Sequence, residues 1–237
     1  MTALAPFVDA LVDAHRTGRR FAPSGAVPRD AEDAYAVQRA VMERIGPPAA
    51  WKVARKPGTA PIMAPIARAQ VHGTGATVAF GRPVGVELEV ALEAVARIPK
   101  GTPADRLAAL VRPRPAIELV DARVEGPLAE DPFVKLADQQ ACGALVLGPP
   151  APWDGADLGT VAARLLCGGE AVLDGAATVP GGSALGALAA LLELSEDGLR
   201  AGEVVITGSL NGLPRFGPGT AVRGEIDGLG TVAAEIA

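Results

Sequence analysis

The sequence predicts an α+β domain in which a mixed β-sandwich or roll stands behind an amino-terminal helical layer. Three observations lead there. Apolar residues recur at helical spacing in two segments before residue 48, and from about residue 49 the chain mostly alternates as strands. Regular βαβ alternation is missing, which excludes a doubly wound parallel sheet. No repeat or linker divides the chain, so a single domain over 1–237 is expected, with a helical layer at 1–48 and a β-rich core at 49–237.

The first helix spans 2–18, where Leu4, Phe7, Val8, Leu11 and Val12 share a face and Gly18 ends the pattern. Asp30 caps a second helix carrying Tyr35, Gln38, Val41, Met42 and Ile45, which stops at Gly46-Pro47-Pro48. A short strand follows at 50–55, then a Pro/Gly-rich loop at 56–65. Strands are expected at 77–80, 84–96, 115–124 and 142–147, interrupted by a short helix at 103–111 with Thr102 as cap and Pro103 in the first turn. Gly168-Gly169 joins strands 161–167 and 170–177 as a hairpin. Ser183 caps a helix whose Leu185, Leu188, Leu191, Leu192 and Leu194 face the core and which Gly198 closes. A strand at 203–208 and a last hairpin of 221–226 with 230–236, around Asp227-Gly228-Leu229, complete the order.

Composition removes several classes of function. An apolar content of 49% supports a real core, whereas a net charge of -5, 3% aromatic residues and no basic stripe offer nucleic acid no platform. The longest uncharged apolar run, 184–192, is too short to span a membrane, and the first residues lack a basic segment followed by an apolar block. A cytoplasmic location is therefore expected, without membrane partners. Cys142 and Cys167 lack CxxC spacing and His15 and His72 stand alone, which argues against zinc and leaves oxygen-held Mg²⁺ or Mn²⁺ as the metals to consider. Phosphate-cradling glycine motifs and a GxSxG elbow are absent.

The chemistry concentrates on two acidic strands. In Val84-Gly85-Val86-Glu87-Leu88-Glu89-Val90-Ala91-Leu92 a period of two sends Val86, Leu88, Val90 and Leu92 to one face and Glu87 and Glu89 to the other. Neighbouring like charges repel, so a cation, either a metal ion or a buried lysine, is the natural guest between them. Glu118 alternates in the same way with Ile117 and Leu119 on the second strand, and pairing of the strands would converge three carboxylates suited to an octahedral cation. The alternative places Glu87 and Glu89 on a solvated face and pairs Glu118 with Arg123 or Arg97; pattern alone holds the two readings level. Lys52, between Trp51 and Val53, reads most simply as an exposed strand lysine. Partly desolvated, it could instead act as a base of lowered pKa or, charged, hold an anionic substrate. Asp138-Gln139-Gln140 offers a carboxylate and amides at a helix end. The stretch from Thr207 through Ser209 to Gly212 either binds a carboxylate or forms an ordinary turn.

Taken together, Trp51-Lys52-Val53, Glu87-Leu88-Glu89, Pro115-Ala116-Ile117-Glu118-Leu119-Val120-Asp121-Ala122-Arg123, Leu136-Ala137-Asp138 and Thr207-Gly208-Ser209 resemble the 2-keto-4-pentenoate hydratase group of the fumarylacetoacetate hydrolase superfamily. The likeness runs from about residue 50 to the carboxyl end, and the paired glutamates followed by the second acidic strand are its specific part. The resemblance implies a roll of the fumarylacetoacetate hydrolase carboxyl-terminal-domain type, with Glu87, Glu89 and Glu118 as ligands of Mg²⁺ or Mn²⁺. It implies Lys52 as a catalytic and substrate-holding residue, Asp138 as a catalytic residue and Ser209 as a substrate contact. The implied substrate is a small 2-oxo acid. The implied activity is a carbon–oxygen lyase adding water to a 2-hydroxy-2,4-dienoate, giving a 4-hydroxy-2-oxo acid in the catabolism of aromatic meta-cleavage products. A homo-oligomer, or association with a decarboxylase or hydratase partner, is implied as well. One departure stands out. Many hydratases of the group carry an acid after the lysine strand, whereas Pro61-Ile62-Met63-Ala64-Pro65-Ile66 has none. That keeps open decarboxylation of a 4-oxalocrotonate-type 2-oxo-3-enedioate, and a non-catalytic assembly subunit. The related C–C hydrolases usually rely on a histidine-containing base, and His72 stands in the wrong context for one.

Overall fold

The computed structural model describes residues 2–54, 59–156 and 158–237; Arg55 and residues 56–58, where the lysine strand was expected to end and its loop to begin, lie outside the described residues. Helix α1 (Ala5–Thr17) carries Pro6 in its first turn and ends at Gly18, whose left-handed φ of 69° lets its N–H return to Ala14 O. Helix α2 (Ala31–Ile45) starts where the Asp30 side chain accepts from Asp33 N–H. Their apolar faces meet through Phe7, Val8, Leu11, Val37 and Val41.

Strands β1 (Pro48–Ala54), β2 (Ile62–Ala67), β3 (Val71–Gly73), β4 (Ala76–Val78) and β5 (Val84–Ala94) follow, then the short α3 (Ala104–Leu107) and β6 (Val111–Val120). Next come α4 (Pro132–Ala137), β7 (Cys142–Leu147), β8 (Thr160–Cys167), β9 (Glu170–Thr178), α5 (Ala184–Leu194) and β10 (Val204–Ile206). The two-residue β11 (Arg215–Phe216), β12 (Thr220–Ile226) and β13 (Gly230–Ile236) end the chain. One mixed sheet runs β2-β1-β10-β5-β6-β7-β3 with β11 also on β5, and a second runs β4-β13-β12-β8-β9. The chain passes between them at the β3–β4 turn. The main core lies where Val86, Leu88, Val90 and Ile117 of the first sheet meet Leu165, Val222 and Val232 of the second. Approach is so close that a Cβ on Gly224 would stand 2.5 Å from Leu88 Cδ1. This is the expected α+β architecture. No helix among the described residues is long and apolar enough to cross a membrane.

Several elements depart from expectation for local reasons. Strand β6 starts at Val111 and accommodates Pro113 and Pro115, because the segment beside them only donates: Gly148 N–H to Pro115 O and Ala151 N–H to Pro113 O, each at 2.9 Å. Helix α4 leads into the helix end expected at Asp138 and is capped by Asp131, whose carboxylate accepts from Phe133 and Val134 N–H. Strand β10 covers only part of the expected 203–208.

Its early end shapes the functional region. Beyond Ile206, paired with Ala91, no strand flanks β5 until Arg215 pairs with Gly85. Side chains and turn backbone substitute for it. Thr207 Oγ1 donates to Val90 O at 2.8 Å, Asn211 Oδ1 accepts from Leu88 N–H at 2.7 Å and Asn211 Nδ2 donates to Val86 O at 3.0 Å. Asn211→Ala strips two β5 backbone groups of their partners and is expected to lower stability by roughly 2–4 kcal/mol in urea unfolding. A loss below about 0.5 kcal/mol would show that this side chain does not hold the strand.

Candidate metal centre

Glu87 and Glu118 stand directly opposite each other in the β5–β6 register, and Glu89, opposite Ala116, is the next residue on the same face. Strand periodicity thus brings the three carboxylates together, with one oxygen of each within 4.8 Å of the others. The face is not solvated, since Glu89 and Glu118 are both 0% exposed. Lys52 lies on the same face, in the row Lys52, Ile206, Ala91 that crosses β1, β10 and β5. Its Nζ is 2.9 Å from Glu118 Oε1, 2.8 Å from Oε2 and 3.9 Å from Glu87 Oε2. The pairing of Glu118 with Arg123 or Arg97 considered from the sequence is therefore replaced by Lys52.

Electrostatics follow from that enclosure. Burial first, then the neighbouring Glu118, pushes Glu87 up to about 7, and burial with Glu118 and Glu87 raises Glu89 well above the carboxylate range. Burial alone would lower Lys52, but Glu118, Glu87 and Glu89 outweigh it and hold its ammonium above the usual lysine value. In this cluster Lys52 is a fixed positive charge, not a base of lowered pKa.

Glu89 Oε2 accepts from Gly208 N–H at 2.5 Å, whereas its buried Oε1 has no hydrogen-bond partner among the described residues. A buried carboxylate oxygen without a donor, facing two more carboxylates, suits a hard divalent cation, and an all-oxygen set selects Mg²⁺ or Mn²⁺ over zinc. Ser209 stands beside Glu87, its Oγ donating to Gly212 O at 2.7 Å. Between β1 and the start of α5, a cavity of about 270 Å³ reaches Gly208 and is lined by Val53, Ala54, Pro180 and Ala187, with no charged side chain among the described residues. A roomier cavity of about 420 Å³ lies at the carboxyl ends of α1 and α2, lined by His15, Arg44 and Arg82; none of the three glutamates reaches it.

Asp138 does not join the carboxylates. It is 2% exposed, its Oδ2 accepts from Arg123 N–H at 2.7 Å and its Oδ1 from Arg123 Nη1 at 2.9 Å. Arg123 Nη2 then donates to Cys142 O at 2.6 Å. Both oxygens are engaged in a structural pair, which does not support the proton-transfer role expected of Asp138. The sequence pattern also gave no sign of the roles of Gly208 and Asn211, which fix Glu89 and β5, or of Cys142, whose thiol lies beside Glu118. A turn ending a strand with Gly and Asn was the available hint.

No protein-family model matches the chain. A curated relative, 2-keto-4-pentenoate hydratase 1 of Dechloromonas aromatica (strain RCB), is 35% identical over 171 residues, which make up 68% of this chain and 64% of the relative. Over that stretch the chain is similar to a 2-keto-4-pentenoate hydratase. The match spans slightly less than two thirds of the relative's length. Among solved structures, 4-oxalocrotonate decarboxylase from Pseudomonas putida G7, complexed with magnesium and adipate, superposes with a TM-score of 0.82 at 21% identity, covering 98% of this chain and 96% of that one. Fumarylpyruvate hydrolase from Pseudomonas aeruginosa, in complex with Mn²⁺ and pyruvate, superposes with a TM-score of 0.59 at 17% identity, over 79% of this chain and 88% of that one. At these identities the likeness establishes the fold alone.

The raised carboxyl groups give the stability a definite pH dependence. Between the ordinary glutamate value of 4.5 and about 7, the folded metal-free protein holds protons on the cluster that the unfolded chain has lost. Stability therefore falls as pH rises through that window. A bound divalent cation removes the repulsion responsible, so Mg²⁺ is expected to raise the melting temperature more at about pH 8 than at about pH 6. An equal Mg²⁺ shift at both pH values would contradict the assignment of these groups.

Proposed function

We propose that the chain is a divalent-metal-dependent hydratase that adds water to a 2-hydroxy-2,4-dienoate, or its 2-oxo-4-enoate tautomer, to give a 4-hydroxy-2-oxo acid in the breakdown of aromatic meta-cleavage products. The observation that carries this reading is the triad of half-buried Glu87 with buried Glu89 and Glu118, one Glu89 oxygen having no partner among the described residues. These residues would hold Mg²⁺ or Mn²⁺. When bound, such an ion polarises a chelated 2-oxo acid and stabilises the negative charge of its enolate form.

The chain's own groups divide the remaining work. Lys52 Nζ, charged beside the triad, holds the substrate's anionic oxygen. Ser209 Oγ, at the rim beside Glu87, turns its single proton from Gly212 O to the substrate carboxylate. Gly208 N–H keeps Glu89 aimed inward. The cavity beside Gly208, whose described lining is uncharged, matches the apolar end of a dienoate.

A second reading has its own observation. The segment at Ile62–Ala67 carries no carboxylate, so the water-activating acid expected in a hydratase is absent from β2. Decarboxylation of a 2-oxo-3-enedioate needs the same metal and lysine but no attacking water. Incubating Mg²⁺-loaded protein with 2-hydroxy-2,4-pentadienoate should consume the dienoate absorbance and yield the 4-hydroxy-2-oxo acid by NMR. CO₂ release from the enedioate without dienoate hydration would replace the hydratase reading with the decarboxylase one. Glu89→Gln is expected to lower kcat by roughly a thousandfold or more while the circular dichroism spectrum stays unchanged. Retained turnover would remove Glu89 from the site.

A further inference from the structure

Gln139, Gln140 and Ala141 have positive φ values of 52°, 51° and 61°. Side chains with a Cβ rarely take this conformation, and three such residues in a row form a left-handed turn that needs external restraint. The restraints are present. Ala141 N–H donates to Asp138 O and Asp121 N–H to Ala141 O, each at 2.8 Å. Arg123, anchored on Asp138, and Gln70 both donate to Cys142 O, at 2.6 and 2.9 Å.

What the turn delivers to the site is a backbone carbonyl. Gln140 O lies 3.5 Å from Lys52 Nζ, which is drawn toward Glu118 at 2.8 and 2.9 Å. A cation held by Glu118 would occupy the oxygen lone pairs that Lys52 uses and repel its ammonium. The buried stem, 14% exposed, would then need another acceptor within reach. A neutral carbonyl can serve without competing for the cation.

We propose that the left-handed turn at 139–141 is a positioning device for Lys52, with the Gln140 carbonyl retaining the ammonium when a divalent cation occupies Glu87, Glu89 and Glu118. The inference rests on the metal reading above. It assigns the role to the backbone, so what matters at residue 140 is the ability to hold positive φ. Glycine does so freely; valine, β-branched, does not.

Calorimetry on wild type, Gln140→Gly and Gln140→Val, measuring Mg²⁺ affinity and then oxalate affinity of the Mg²⁺-loaded protein, separates the possibilities. Gln140→Gly is expected to bind both ligands within about threefold of wild type. Gln140→Val is expected to keep Mg²⁺ within about threefold and to bind oxalate about tenfold or more weakly. Should Gln140→Val fail to fold, Gln140→Thr, smaller and also β-branched, is judged by the same criteria. Three results overturn the proposal: wild-type oxalate affinity in the β-branched variant, parallel loss of Mg²⁺ and oxalate there, or loss of oxalate in Gln140→Gly. A wild type that binds neither ligand overturns the metal reading itself; a wild type that binds both, matched by the β-branched variant, overturns only the role of the turn.

Discussion

Burying Glu87, Glu89 and Glu118 with oxygens within 4.8 Å of one another is tolerable only if positive charge sits among them, and the surrounding sheet is arranged to supply it. Lys52 meets part of that demand from two strands away. Its reach across β10 and β5 to Glu118 places the ammonium over a central, largely covered part of the sheet, where each contact to a carboxylate is stronger than it would be in water. Among the described residues, one ammonium against three carboxylates leaves a deficit. The raised values of Glu87 and Glu89 favour proton uptake in the metal-free protein, and a divalent cation would meet the same demand with the carboxylates ionised.

The polar framework around this cluster holds it in place. Asp121, at the end of β6, is held by Arg20 and Arg82, and Arg82 also donates to Gly18 O at 2.8 Å, so the end of α1 is tied to the strand that carries Glu118. These arginines keep the Asp121 carboxyl below its ordinary range despite its burial. Gln38 of α2 donates to Leu136 O at 2.6 Å and Met63 O at 3.3 Å, linking the helical layer to α4 and β2. The helices at the start of the chain thus brace the far side of the site. The apolar core between the sheets fixes β5 and β6 from the opposite face.

Much of this was legible wherever one residue type implied one physical need. The alternation around Glu87 and Glu89 gave the correct shared face, and Glu118 joined it because antiparallel pairing keeps opposed residues on one side. Burial of that face was not legible, since charged alternation is equally typical of a solvated strand. The state of Lys52 depends on partners from distant strands and could not be read locally. Asp131-Pro132 carries a helix-start signal for α4, with the acid as cap and the proline in the first turn. Nothing in Gln-Gln-Ala announces three left-handed residues; tertiary hydrogen bonds at both ends impose them. Asp138 looked like a free acid in the sequence because the arginine that occupies it lies on another segment, at the far side of the turn.

The most direct test of the carboxylate cluster as a cation site is a titration of Mn²⁺ into metal-free protein near neutral pH, in two buffers of different ionisation enthalpy. The account predicts one ion bound per chain with net proton release, because Glu87 and Glu89 must give up protons to become ligands, and loss of binding in Glu118→Gln. Binding without proton release, or Mn²⁺ affinity unchanged in Glu118→Gln, would contradict it.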